Sequence, residues 1–152
     1  MVDIAMLRIT IYSVGKKHDS HFASAIAAYE QKLLPYAKVA WQLLPNSDKD
    51  QESQAILQKT EGSYRVLLDN GGEQYSSEDI ANTLDKWQTT AQNDIALIIG
   101  GAYGVNDELR AASDLVVSFG PLTFPHQLVR VMVLEQLYRG FSILKGTGYH
   151  HQ

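Results

Sequence analysis

Apolar and polar positions alternate with period two from Leu7 to Val14 (LRITIYSV), a β-branched run that predicts a strand closed by Gly15. The period then lengthens. Phe22, Ile26, Tyr29 and Leu33 recur at three-to-four spacing, Asp19 or Ser20 stands where a helix cap belongs, and Pro35 follows, so a helix is expected to run to Leu34. Residues 37–44 read as a second strand. A polar helix over 50–60 has only Ala55, Ile56 and Leu57 to bury, with Gly62 as its stop. A short apolar strand over 64–68 opens into Asp69-Asn70-Gly71-Gly72. Ser76 and Asp79 have capping-box spacing, and the helix they start is expected to reach Gln92, burying Ile80, Leu84 and Trp87. A strand over 95–99 leads into Gly100-Gly101-Ala102-Tyr103-Gly104, Asn106 caps a short helix through Ala112, and 115–119 is the last strand. A turn-rich loop, 120–125, precedes an almost wholly apolar helix over 126–145, and a glycine-flanked tail, 147–152, closes the chain.

Strands alternate with helices throughout, which predicts an α/β fold: a mostly parallel sheet covered by helices on both faces. Sites on such sheets form just beyond the carboxyl ends of the strands. Segments 69–72, 100–104 and 120–125 meet that description. The 152 residues fit one domain. Residues 1–6 read as an unpatterned N-terminal extension, with Met6 a candidate start of translation. The last helix is apolar around most of its circumference and needs burial on more than one side. The sheet supplies one side, and a second subunit is the economical candidate for the other.

Charge refines this picture. A net charge of −4 argues against a general nucleic-acid binder. From Leu115 onward, however, Arg130, Arg139 and Lys145 face a single anion, Glu135, and three histidines accompany them. Contact with a polyanion therefore belongs at the C-terminal end, and two-fold pairing would double it. The absence of cysteine excludes disulfides, thiolate zinc sites and cysteine nucleophiles. Asp3 precedes any basic residue, Arg8 breaks the first apolar run, and no run of 18 apolar residues occurs. No signal peptide, membrane span or membrane partner is expected, and the protein reads as cytoplasmic.

Three segments can carry chemistry. Gly100-Gly101-x-x-Gly104 follows an apolar strand and precedes a capped helix; it reads equally as a tight turn and as a loop that lets backbone approach a ligand. It is neither the dinucleotide fingerprint nor a P-loop. In 120–125 two prolines and a glycine stiffen a strand-to-helix junction that can present amides and carbonyls to a flat ring; Thr123 can also cap the helix. His126, in the helix's first turn, reads as a packing or hydrogen-bonding residue. Glu135 and Arg139, four apart, suit an intrahelical ion pair, and Arg130 and Arg139 suit phosphates or a partner subunit. In the tail, His150 is a candidate general base or orienting group, because an imidazole's ordinary pKa lies near 6.5. Adjacent histidines without further ligands make no metal site.

Ile99-Gly100-Gly101-Ala102-Tyr103-Gly104, the run from Leu122 to Arg130, Leu134-Glu135-Gln136-Leu137-Tyr138-Arg139 and Tyr149-His150 together resemble the RlmH family. These are small SPOUT-class methyltransferases that modify N3 of a pseudouridine in 23S (large-subunit) ribosomal RNA. The resemblance implies a C-terminal trefoil knot and a homodimer built on it. It implies S-adenosyl-L-methionine as cofactor, held by Leu68, Gly100, Gly101, Gly104, Phe119, Gly120, Pro121, Leu122, Thr123 and Phe124. Tyr149, which could stack on or orient the base, and His150 are the expected catalytic pair, supplied by one subunit to the other's site, with Arg130, Arg139 and His151 toward the RNA of an assembled ribosome. Two positions depart from the family. His151 stands where an arginine is usual, and Gly120-Pro121 where a serine and a variable residue are usual. The alternative is an RNA-binding or ribosome-assembly dimer that keeps the fold without turnover.

Overall fold

In the computed structural model, residues 6–92 and 94–150 are described. The expected N-terminal extension, apart from Met6, and the tail residues His151 and Gln152 lie outside them. Five strands and five helices follow in strict alternation: β1 (Leu7–Val14), α1 (Ala23–Leu33), β2 (Ala37–Leu44), α2 (Lys49–Lys59), β3 (Tyr64–Gln74), α3 (Ser77–Thr89), β4 (Asp94–Ile99), α4 (Asp107–Ala111), β5 (Leu115–Ser118) and α5 (His126–Lys145). The sheet has the order β2-β1-β4-β3-β5. Every pairing in it is parallel, the α/β architecture expected.

Strand pleating sorts the apolar residues between two layers. On one face Leu7, Ile9 and Ile11 of β1 and Ile95, Leu97 and Ile99 of β4 pack against α1, α3 and α5. On the other, Tyr12, Ala96 and Ile98 pack against Ile56 of α2 and Leu109 of α4. Central strands buried on both sides explain why β4 reads as a continuous apolar run. Gly140 lets α5 lie close to α3, since a Cβ there would stand 2.7 Å from Leu84 Cδ1.

Local differences from the sequence expectations have simple causes. Asp19 does not cap α1; its carboxylate takes the His21 amide and ring instead, and the helix starts at Ala23 without a side-chain cap. Asp48 caps α2 by accepting from the Gln51 amide. The capping box of Ser76 and Asp79 is formed, and α3 ends at Thr89. Strand β3 does not stop at Leu68. Leu68 and Glu73 both pair with Val117, so 69–72 loop out and rejoin the same ladder. Gly72 is required there, because a Cβ would sit 2.7 Å from the Val116 carbonyl oxygen. Thr123 does not cap α5; Pro125 occupies that position.

The connections from β1 and β4, neighbours in the sheet, depart in opposite directions: one leads to β2 and the other to β5. Such a reversal opens a crevice at the carboxyl ends of the strands.

Candidate functional site

A cavity of about 920 Å³ lies beyond the carboxyl ends of β4 and β5 and over the part of β3 between them, lined from three segments far apart in sequence: Leu68, Asp69 and Asn70 of β3, the loop after β4 (100–105) and the loop after β5 with the first turns of α5. Its volume suits a ligand pocket, which spans roughly 300–1,000 Å³. Of the ten residues expected to hold a cofactor, nine line it: Leu68, Gly100, Gly101, Gly104, Phe119, Gly120, Leu122, Thr123 and Phe124. Pro121 is outside the lining. The glycine loop is a tight turn, with the Gly104 amide donating to the Gly101 carbonyl at 3.0 Å, and a pocket wall as well. Gly104 (φ 77) and Gly120 (φ 118) have left-handed backbones, and nothing lies within 4 Å of where their Cβ atoms would be. Glycine is needed at both for conformation, and both leave backbone open to the cavity.

Asp69 and Arg110 are joined across this wall by a two-pronged ion pair of 2.8 and 3.1 Å. The Arg110 fork, aided by the Gly71 amide, holds the Asp69 carboxyl below its ordinary pKa.

The floor beneath α5 is held by Arg130, which is fully buried. Its guanidinium spends every donor. Nε donates to Ser13 Oγ at 2.8 Å, Nη1 to the Lys17 carbonyl and to His18 Nδ1, and Nη2 to the carbonyls of Val14 and Gly15 at 2.9 and 3.0 Å. The expected contact of Arg130 with RNA is therefore corrected: this side chain has no surface to offer a phosphate, and it ties the end of β1 to α5. Gln127 helps, accepting from the Asp19 amide.

His126 was read as a packing or hydrogen-bonding residue, and the structure differs. Its ring is half-buried, lines the cavity, and makes no hydrogen bond to any described residue. Burial, then the nearby Arg130 charge, lowers its pKa, with Glu52 opposing. His18 is lowered by burial and then by Arg130. Both folded values lie below the ordinary 6.5, so the stability they contribute is present above about pH 6.5 and is lost as pH falls through that value toward the folded ones. Thermal unfolding between pH 7.5 and 5 is expected to show a falling midpoint, with a shallower fall in H18Q.

The tail lies elsewhere. It folds back on the middle of α5, whereas the cavity lies at that helix's first turns. The Tyr149 hydroxyl donates to Glu135 Oε2 at 3.0 Å. Burial above all, then hydrogen bonds with Tyr29 and Glu135, push the phenol well above its ordinary pKa, so it is a donor and not a base. Lys32 Nζ stands 5.3, 5.4 and 6.0 Å from the ring centres of Tyr29, Tyr138 and Tyr149, and Arg139 stacks on Tyr149 at 4.9 Å. Arg139 also pairs with Glu135 at 3.0 Å, the expected i,i+4 bridge. His150 Nδ1 is 2.9 Å from Arg139 Nη1, and its Nε2 is 2.9 Å from Glu78 Oε1. Arginine only donates, so Nδ1 accepts and Nε2 carries the hydrogen given to Glu78. Both His150 nitrogens are engaged, and within one chain neither Tyr149 nor His150 lines the cavity.

A parallel sheet with a glycine-walled pocket beyond the carboxyl ends of its strands is the arrangement in which open α/β proteins bind ligands. Residues 7–150 match the family model described as "Predicted SPOUT methyltransferase", and the chain belongs to that family. Among solved structures, the tRNA (m1G37) methyltransferase from Aquifex aeolicus is 16% identical, with 89% of this chain and 70% of that chain covered and a TM-score of 0.54. A probable methylase family protein from Haemophilus influenzae Rd KW20 is 15% identical over 95% and 70% of the two chains, with a TM-score of 0.58. At these identities the likeness is one of fold. No helix among the described residues is long and apolar enough to cross a membrane.

Proposed function

We propose that the chain transfers a methyl group from S-adenosyl-L-methionine to N3 of a pseudouridine in 23S ribosomal RNA, working as a cytoplasmic homodimer on the assembled ribosome. The observation that carries the reading is the convergence of nine expected cofactor residues, from three distant loops, on one cavity. The donor set suits the cofactor. Leu68, Ile99, Val117 and Phe119 give apolar walls for an adenine ring, and the glycine loops leave backbone amides and carbonyls free to read its edge. When bound, the cofactor supplies an electrophilic methyl group; the protein's part is to hold the acceptor beside it and to remove the acceptor's proton.

Two observations support the dimer. Half-exposed Leu128, Val131 and Met132 share a face of α5 with Glu135 and Arg139, an apolar stripe beside the tail. The tail also lies off its own chain's cavity, so a second copy is the economical way to bring Tyr149 and His150 to a site. Arg139, half-exposed next to them, remains available to a phosphate. The C-terminal knot is part of the same reading.

Calorimetric titration of the protein with S-adenosyl-L-methionine is expected to show saturable binding. Mass spectrometry of ribosomal RNA from a strain lacking the protein is expected to show one pseudouridine short of one methyl group. Cofactor binding with an unchanged RNA spectrum would reject the ribosomal substrate while leaving the cofactor site standing.

A further inference from the structure

We propose that His126 is the proton acceptor of this site, a role the tail histidine cannot fill in its observed contacts. The inference rests on the methyltransferase reading above and adds a catalytic residue to it. His126 is the first residue of α5 and stands over the carboxyl end of β1: its Nε2 is 3.9 Å from where a Cβ on Gly15 would be. It thus stands where the end of β1 meets the cavity, whose lining it shares with the glycine loop. The other groups of the cavity that exchange protons are committed or of the wrong charge. Asp69 is locked to Arg110 and the Gly71 amide. Lys49 and Arg110 are cations, Tyr103 is a largely exposed phenol, and Asp107 is a carboxylate at the start of α4, a weaker base than an imidazole. His126 alone among the cavity's neutral bases has a ring free of hydrogen bonds to described residues.

Its surroundings keep it unprotonated and let it discharge. Arg130, one turn along α5, and the N-terminal end of the helix dipole both disfavour a second positive charge there. Glu52 of α2 acts in the opposite sense; its Oε1 lies 2.7 Å from where a Cβ on Gly101 would be, so a carboxylate stands against the glycine loop. In the step itself, the N–H bond of the acceptor imide breaks and its electron pair stays on the nitrogen that is methylated. The proton bonds to an unprotonated nitrogen of the His126 ring. The resulting imidazolium is half-exposed and passes its proton to water.

The test compares wild type with H126Q and H126A, each first checked for a wild-type thermal midpoint. General bases contribute roughly 10²–10⁴-fold, so single-turnover methylation of ribosomes at saturating cofactor is expected to fall about 100-fold or more in H126Q. The calorimetric Kd for S-adenosyl-L-methionine should stay within about threefold, since a methyl acceptor's base does not hold the cofactor. The wild-type rate should climb with pH up to a plateau and the H126Q rate should lack that limb, while added imidazole should restore part of the H126A rate. Independently of activity, ring-nitrogen NMR of the ligand-free protein should show His126 neutral at pH 7. An unchanged H126Q rate, a Kd weakened tenfold with full turnover at saturation, or a ring protonated at pH 7 would each overturn the assignment. Wild-type protein that binds no S-adenosyl-L-methionine would instead bring down the methyltransferase reading, and this inference with it.

Discussion

Replacing Arg130 with methionine is expected to destabilise the fold by about 3–5 kcal/mol, a large share of the roughly 5–15 kcal/mol typical of a domain. The reason is the kind of partner Arg130 has. Burying a guanidinium is costly, and exchanging a buried charge for an apolar side chain is often harmless when its partners are exchanged as well. Here three partners are backbone carbonyls, of Val14, Gly15 and Lys17, and no mutation of Arg130 removes them. Methionine would leave the Val14 and Gly15 oxygens and Ser13 Oγ buried without donors, and the Lys17 oxygen and His18 Nδ1 without one at a half-buried edge. At about 2–4 °C per kcal/mol for a chain of this size, the thermal midpoint should fall by on the order of 10 °C. Lysine offers three donors where arginine offers five, so R130K should recover only part of the loss. Unfolding followed by circular dichroism reads both. An R130M midpoint within about 2 °C of wild type would mean that water or rearrangement satisfies the loop and that the guanidinium is not its anchor.

Arg130 also shows where reading the sequence works and where it stops. The order and type of all ten elements follow from periodicity, because burial on one or two faces writes itself into spacing. The place of the pocket was legible because sites on parallel sheets form beyond the carboxyl ends of the strands, where 69–72, 100–104 and 120–125 stand; the residues expected to hold a cofactor followed from the family resemblance. The roles of charged side chains were not legible. Arg130 and Arg139 lie nine residues apart on one helix, yet one is entirely buried and the other is half-exposed. What separates them is the loop from Gly15 to His18, more than a hundred residues earlier, whose carbonyls converge on only one of the two. The two histidines show the same limit. A place in the first turn of a helix suggested packing or hydrogen bonding for His126, and imidazole chemistry suggested a base in His150, while long-range contacts leave the first without a hydrogen bond to described residues and engage both nitrogens of the second. The length of β3 was hidden because Asp69-Asn70-Gly71-Gly72 is turn chemistry, and only β5 shows that the strand resumes beyond it.

Mixing two crippled subunits is expected to rebuild activity that neither possesses. One variant ends at Gly148 and so lacks Tyr149 and His150. The other, T123W, keeps its tail but places an indole in the cavity, where Thr123 is an exposed wall residue. Each homodimer should be at least about 100-fold slower than wild type, the first because the acceptor is no longer positioned by the tail and the second for want of cofactor. If the tail serves the partner's cavity, a mixed dimer has one complete site: the open cavity of the truncated chain with the intact tail of the other. Random equimolar pairing makes half the dimers mixed, with one working site of two, so roughly a quarter of wild-type activity should return. If the tail serves its own cavity, no mixed dimer has a complete site and activity stays at background. The truncation itself should change stability by no more than about 1–2 kcal/mol, because the contacts it removes, Tyr149 to Glu135 and His150 to Arg139 and Glu78, lie at a partly exposed surface. A monomeric mass in solution would remove the basis for any such recovery. Dimers that exchange subunits yet recover nothing would place the tail outside the reaction or on its own chain, and the position it takes along the middle of α5 would then be its working position.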